Sequence, residues 1–205
     1  MTNEKNSGIH TSRINGLSKS TDPFIIFLDQ DDELINDAFV NLYKKARTSN
    51  ADVILGNGYF EIHGNPEIIF GNKWSHEFAT KESSYILIRD FIVSPGQCLI
   101  KKKSIPDFWK ENIMHDNGAD DYLLWLSMFD HNSTFEICHE IIYVHKDTSI
   151  NLSSDADKMN ISVDNMLTLL SNKEKYSKKK FQKLKRRINY KPLYKKIYFI
   201  LFFIH

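Results

Sequence analysis

The most informative pattern in the chain is an apolar run at residues 24–28 that ends in three carboxylates, Asp29, Asp31 and Asp32. Five consecutive β-branched, aromatic and aliphatic residues predict a short strand buried on both faces. Such strands belong to mostly parallel sheets covered by helices, and ligands bind at the carboxyl ends of these strands. The pattern therefore predicts an α/β fold with an acidic ligand site directly after this strand.

The three acids repel one another unless a cation lies between them. Asp29 and Asp31 offer the oxygen ligands that hard divalent ions such as Mg2+ or Mn2+ prefer, and such an ion would clamp phosphate oxygens. From the residues alone a helix N-terminus is an equal alternative, because acids favour a first turn and Asp32 or Asn36 could cap the next helix.

Hydrophobic spacing predicts the remaining elements. The predicted helices cover residues 9–20, 37–48, 81–91 and 159–170, with a further helix starting near residue 120. The predicted strands cover residues 52–55, 59–62, 98–100, 135–138 and 141–145, with turns at 56–58, 63–66, 94–97 and 104–106.

Charge divides the chain near residue 172. Residues 1–172 carry 15 Lys or Arg against 25 Asp or Glu, whereas residues 173–205 carry 12 against 1. The acidic body argues against a nucleic-acid binder, whose fold would present a basic face. Two domains are expected: a body at 1–172 and a helical tail at 173–205 that is basic and ends in aromatic and aliphatic residues. A solvated charge run and attachment to an anionic membrane surface both explain the tail.

Composition, cysteine usage and the lack of a recognisable signal peptide predict a cytoplasmic protein. Hydrophobic residues at 41% and charged residues at 26% are ordinary for a globular protein of 205 residues. Cys98 and Cys138 follow no metal-ligand spacing and are expected as buried, reduced thiols. Residues 1–19 lack the apolar centre of a signal peptide, and the apolar run at 197–204 is shorter than the roughly 20 residues that span a bilayer.

A second acidic pair, Asp120 and Asp121, precedes an apolar helical run. From the residues alone, first-turn capping is the simpler explanation.

Residues 12–17 and 24–32 together resemble inverting GT-A glycosyltransferases of the family-2 type. In those enzymes the corresponding segments are Ala-Arg-Asn-x-Gly-Leu and Phe-Leu-Asp-x-Asp-Asp. Ile14 stands where the family usually has Asn. The matching residues are Arg13, Gly16, Leu17, Asp29, Asp31 and Asp32.

The resemblance implies a GT-A (Rossmann-like) fold and transfer of a sugar from a nucleotide-diphosphate donor, with UDP-sugars expected, to a hydroxyl acceptor. It implies roles for individual residues. Asp121 matches the family's general base, and Asp120 replaces its usual Glu partner. The implied donor-binding residues are Arg13, Asp29, Gln30 and Asp31, the implied Mn2+ or Mg2+ ligands are Asp31, Asp29 and His145, and the implied acceptor-side residues are Gly96, Gln97 and Trp125.

Three further expectations concern His145, the acceptor-side segment and the start of the chain. A strand-end His such as His145 is often merely hydrogen-bonded, and residues 94–100 are explained as well by a plain loop and strand. Relative to the family, the chain starts after the first strand and a βα unit that holds the nucleotide base. The explanations left open are a fragment, a truncated gene product and one half of a split enzyme; in the last case a second chain supplying that unit is the expected partner.

Taken together, these features predict a bacterial surface-polysaccharide glycosyltransferase, peripheral at the inner face of the cell membrane. The acceptor would be a saccharide or a lipid-linked saccharide. The alternative is an inactive remnant or half-enzyme that binds a partner glycosyltransferase or the membrane.

Overall fold

The computed structural model describes residues 6–62, 64–146 and 155–190, and they form helices on both faces of a sheet. The strands are β1 Phe24–Ile25, β2 Glu33–Leu34, β3 Val53–Ile62, β4 Asn65–Ile68, β5 Cys98–Lys101 and β6 Phe135–Lys146. The helices are α1 Ile9–Lys19, α2 Ala38–Ser49, α3 Lys73–Phe78, α4 Glu82–Leu87, α5 Asp107–Glu111, α6 Asp120–Asp130, α7 Ala156–Asn172 and α8 Lys178–Asn189.

The described sheet is mixed. Its strand order is β1-β5-β3-β6-β2, and β4 pairs with β3. The ladder between β3 and β6 is parallel, whereas β5 runs antiparallel to both β1 and β3, and β2 runs antiparallel to β6. Strands β1, β3 and β6 therefore share one direction, and their carboxyl ends lie at the same edge. The predicted α/β fold is confirmed, with antiparallel strands set beside this parallel set.

The core lies on both faces of the sheet because successive residues of a strand point to opposite sides. Ile54 and Leu99 pack with helix α2 on one face, whereas Val53, Leu55 and Ile100 pack towards α6 and α7 on the other. The two cysteines are buried free thiols, as the sequence predicts.

Strand β3 is continuous where the sequence predicts a turn at residues 56–58. A Cβ on Gly56 would lie 2.2 Å from Ile142 Cγ1, and one on Gly58 would lie 2.5 Å from the Tyr143 carbonyl oxygen. The glycines therefore permit close approach of β6, and they mark an irregular register between the strands. Strand β6 is also continuous, where the sequence predicts two strands at 135–138 and 141–145, because it pairs with β3 along its length.

Strand β1 is shorter than predicted. Only residues 24 and 25 pair with β5, and the Leu28 side chain is 44% exposed. The opposing chain turns at Pro95–Gln97, so the end of the apolar run has no strand partner. The prediction of five residues buried on both faces is wrong for this reason, although Asp29 still follows the strand's carboxyl end. Helix α4 is also shorter than the predicted 81–91, since it ends at Leu87.

Helix α8 belongs to the packed body. Leu184 is completely buried, and Phe181 and Ile188 pack against the same core. Lys180 pairs with Glu82 of α4 at 2.7 Å. The helix thus places its apolar face and Arg187 inward, and most of its other cations outward. The apolar end of the predicted tail, at 191–205, lies outside the described residues, and no described helix is long and apolar enough to cross a bilayer.

Candidate active site

Helix α1 is fastened to the loop that precedes α6. The Asn117 side chain accepts a hydrogen bond from the Ile9 backbone N–H at 2.9 Å, and His10 Nδ1 accepts one from the Met114 backbone N–H at 3.0 Å. His10 and Arg13 lie on the buried face of α1. These bonds hold Arg13 against the start of α6.

Arg13 joins the two acidic segments found in the sequence. Its Nη1 donates to Asp120 Oδ2 at 2.7 Å, and its Nη2 donates to both carboxylate oxygens of Asp29 at 2.9 and 3.2 Å. Arg13 is only 9% exposed and Asp120 only 2%. Burial works to lower the pKa of Arg13, but the nearby carboxylates outweigh burial and raise it, so the guanidinium stays charged.

Asp121 lies in the first turn of α6. Ser162 of α7 accepts from the Ala119 backbone N–H at 3.0 Å and donates to the Asp116 carbonyl at 2.8 Å, which fixes the loop before α6. The Tyr122 backbone N–H donates to Asp121 Oδ1 at 2.7 Å. Burial, followed by repulsion from the Asp120 charge, raises the pKa of Asp121 to about 7. A carboxyl with this pKa can exchange a proton near neutral pH.

The first acidic segment lies beside the acceptor-side turn predicted from the sequence. Ser94 Oγ donates to Asp29 Oδ2 at 3.4 Å, and the Gly96 backbone N–H donates to Ser94 Oγ at 3.1 Å. Asp31 is partly exposed and Gln30 is exposed. Asp31 therefore remains open to a ligand, whereas Asp29 already binds Arg13.

Asp32 anchors the end of β6 to this segment. Tyr143 Oη donates to Asp32 Oδ2, and His145 Nδ1 lies 2.9 Å from Asp32 Oδ1. Asp32 is 7% exposed. Burial works to lower the pKa of His145, but its hydrogen bond to Asp32 and the charges of Asp32, Asp31 and Asp29 raise it. The imidazole thus lies close to all three acids.

The predicted metal ligands are chemically suitable. In the neutral imidazole of His145, when Nδ1 donates to Asp32, Nε2 keeps its lone pair, which is the usual arrangement of a metal-binding histidine. Carboxylate and imidazole together suit Mn2+ better than Mg2+, which favours oxygen ligands. Within the described ranges, however, no three side chains of suitable type form a ready-made metal cluster. The metal site remains a prediction.

A cavity of about 1560 Å³ brings most of the predicted site together. Its wall combines the carboxyl end of β1, the end of β6, one face of α1 and the start of α6. The predicted residues that line it are Arg13, Asp29, Gln30, Asp31, Asp120, Asp121 and His145.

The three predicted acceptor-side residues do not line this cavity. Trp125 is completely buried and packs edge-on against Phe135. Gln97 is also completely buried, and its Oε1 accepts from the Val93 backbone N–H at 2.9 Å. A Cβ on Gly96 would lie 2.7 Å from the Tyr143 ring. Their burial suits a structural role, and an acceptor role for them stays an untested prediction.

The cavity also contains residues that sequence reasoning missed. Asp90 follows α4, and Arg187 lies on α8; both line the same cavity as Asp121. Asp90 has no motif around it, and Arg187 was hidden within the run of basic residues. Only the folded structure shows that these two residues line one cavity.

The comparisons identify the class of protein. The model of "Glycosyl transferase family 2" matches residues 1–109, just over half of the chain. The chain belongs to this family.

Known relatives agree with the family. The chain is 27% identical over 207 residues to the GalNAc(5)-diNAcBac-PP-undecaprenol β-1,3-glucosyltransferase of Campylobacter jejuni, covering 92% of this chain and 64% of that protein. The structure of S. aureus TarS 1–349 with UDP-GlcNAc matches with a TM-score of 0.61 at 14% identity, covering 89% of this chain and 52% of TarS. A second TarS 1–349 structure matches with a TM-score of 0.59 at 17% identity. The GT-A fold is thereby confirmed, and the chain spans less than two thirds of these relatives.

We predict that Arg13→Gln lowers the free energy of unfolding by about 3 kcal/mol, because it leaves the Asp120 carboxylate buried without its charged partner. The matched control is Lys45→Gln, which removes an ion pair to Glu136 between side chains that are 37% and 46% exposed. The control should cost less than about 1 kcal/mol. Urea unfolding measures both, and equal losses would contradict a central role for Arg13.

Proposed function

We propose that this chain transfers a sugar from a nucleotide-diphosphate sugar, of the UDP type, to a hydroxyl group of a saccharide acceptor, with inversion at the anomeric carbon. The observation that carries the proposal is the shared cavity. It contains Asp121, a carboxyl whose pKa is raised to about 7, and it is also lined by the partly exposed Asp31 and by the cation of Arg13.

On the donor side, Arg13, Asp29, Gln30 and Asp31 bind the nucleotide sugar. Mn2+ or Mg2+ is the expected cofactor; its proposed ligands are Asp31, Asp29 and His145 Nε2, and it would neutralise charge on the departing diphosphate. Asp32 orients the imidazole through Nδ1. Asp29 also forms an ion pair with Arg13, so Asp31 is expected to bind the metal ion more strongly than Asp29 does.

On the acceptor side, Asp121 acts as the general base. Its carboxylate accepts the proton of the acceptor hydroxyl as that oxygen attacks the anomeric carbon. The diphosphate leaves from the opposite face, so one displacement inverts the configuration. Asp120 does not compete for this role, because Arg13 holds its carboxylate in an ion pair.

Calorimetric titration with UDP and UDP-GlcNAc tests the donor side. We expect binding in Mn2+ that is lost with chelator and weakened about 10- to 100-fold by Asp31→Ala. The matched control is Asp22→Ala, an exposed acid outside the cavity. A folded chain that binds neither nucleotide would contradict the proposal and favour the alternative, a chain that acts by binding a partner.

Asp121→Asn should reduce kcat about 10²- to 10⁴-fold while sparing donor binding, because the amide cannot accept the proton. In the unaltered protein the base works only when ionised. The kcat/KM for transfer should therefore fall below pH 7 and level off above it. Normal transfer by Asp121→Asn, or a rate independent of pH between 5.5 and 8, would remove Asp121 from the mechanism.

The proposed acceptor is lipid-linked, and the chain is peripheral at the cytoplasmic face of the membrane. The name of the Campylobacter relative describes a polyprenyl-linked acceptor. Helix α8 offers a surface for anionic lipid, because its apolar face is packed inward while its outward face is basic. The exposed cations of α8 are Lys178, Lys179, Lys183, Lys185 and Arg186.

Flotation with vesicles containing anionic lipid tests this surface. Replacing Lys179, Lys183 and Arg186 together by Glu should weaken binding by roughly 100-fold or more, since each cation contributes about 1 kcal/mol. The same change at three exposed lysines elsewhere, Lys19, Lys44 and Lys103, is the control. Equal binding by the two triple variants would exclude α8 as the docking surface.

A further inference from the structure

One part of the cavity wall has no role in the proposed transfer. Asp90 reaches it from the loop after α4, and Arg187 reaches it from α8. They lie far apart in sequence, yet both line the cavity that contains Asp121. The family match ends at residue 109, so Arg187 lies outside the matched segment.

Arg187 is buried but is not fully satisfied. It is 6% exposed; its Nη2 donates to the Tyr85 carbonyl at 3.0 Å and to Tyr122 Oη, and its Cζ lies 5.5 Å from the centre of the Tyr122 ring. Its Nε has no hydrogen-bond partner, and no carboxylate forms an ion pair with Arg187 within the described part of the chain. Arg187 nevertheless lines the cavity, and a guanidinium, which can only donate hydrogen bonds, suits an oxygen of a ligand.

Asp90 adds a second polar group at this wall. The Ile92 backbone N–H donates to Asp90 Oδ1 at 3.2 Å and orients the carboxyl group. Burial and the charge of Asp121 raise the pKa of Asp90, while the charges of Arg187 and Arg89 act in the opposite direction. Asp90 therefore lies close enough to both Asp121 and Arg187 to interact with their charges.

A carboxyl and a guanidinium together match the chemistry of a sugar ring. Each pyranose hydroxyl can donate and accept a hydrogen bond, a carboxyl can accept, and a guanidinium can only donate. The Tyr122 residue held by Arg187 also provides the backbone N–H that binds Asp121. A sugar bound by Asp90 and Arg187 would lie in the same cavity as the base.

We propose that Asp90 and Arg187 form a saccharide subsite that holds hydroxyl groups of the acceptor beside Asp121 and selects the acceptor. This inference rests on the proposed function, which it deepens by assigning the acceptor side of the cavity. A purely structural Arg187, tying α8 to α6, would predict no effect of Asp90 on sugar binding.

The test is binding of four probes, the methyl β-pyranosides of glucose, galactose, N-acetylglucosamine and N-acetylgalactosamine, measured by ligand-observed NMR titration. We expect the unaltered protein to bind at least one probe and Asp90→Asn to weaken that binding at least 10-fold. Affinity for UDP in Mn2+ should not change. Asp107→Asn is the matched control, because Asp107 is an exposed acid outside the cavity.

Arg187→Lys keeps the charge but removes the fork of donors, and it should weaken the same probe about 10-fold. The Tm of each variant shows whether the fold is kept. Binding of no probe by the unaltered protein, or equal probe affinity in Asp90→Asn, would overturn the subsite. Loss of UDP binding with retained probe binding would instead count against the proposed donor site alone.

Discussion

The structure depends on one buried arginine, Arg13, that forms ion pairs with both acidic segments. Without Arg13, the buried carboxylate of Asp120 would lie without a cation and near the like charge of the partly exposed Asp29, which is costly. Helix α1 can supply this cation because its N-terminal end is held by the loop before α6. The position of the donor-side acids and the position of the base are therefore set by the same guanidinium.

Sequence patterns were sufficient for the elements whose signals are local. The spacing of apolar residues predicted α1, α2, α6 and α7, and the two acidic segments indicated the edge of the sheet where the cavity lies. The errors arose where a distant partner decides the outcome. Gly56 and Gly58 look like a turn until β6 is known to approach them, and residues 26–28 look like strand until their partner is seen to turn away.

The candidate site shows the same division. Residues within a motif, such as Asp29 and Asp121, could be assigned to the cavity from the sequence, because family resemblance and strand direction both place them at one edge. The burial of Gln97 and Trp125 could not be predicted from the sequence, since it depends on how distant segments pack around them. Arg187 could not be found at all, because a cation on a basic helix is distinguished from its neighbours only by the face it occupies.

The docking of α8 also has a consequence for how the protein is made. A ribosome delivers the segments of the donor-side wall first, whereas Arg187 emerges only after the body has been synthesised. Early segments of a chain can collapse before later ones are available. Of the described helices, α8 is therefore the last to join the cavity wall. Until α8 has been synthesised, the Tyr85 carbonyl and the Tyr122 hydroxyl of the nascent protein lack their hydrogen bonds from Arg187.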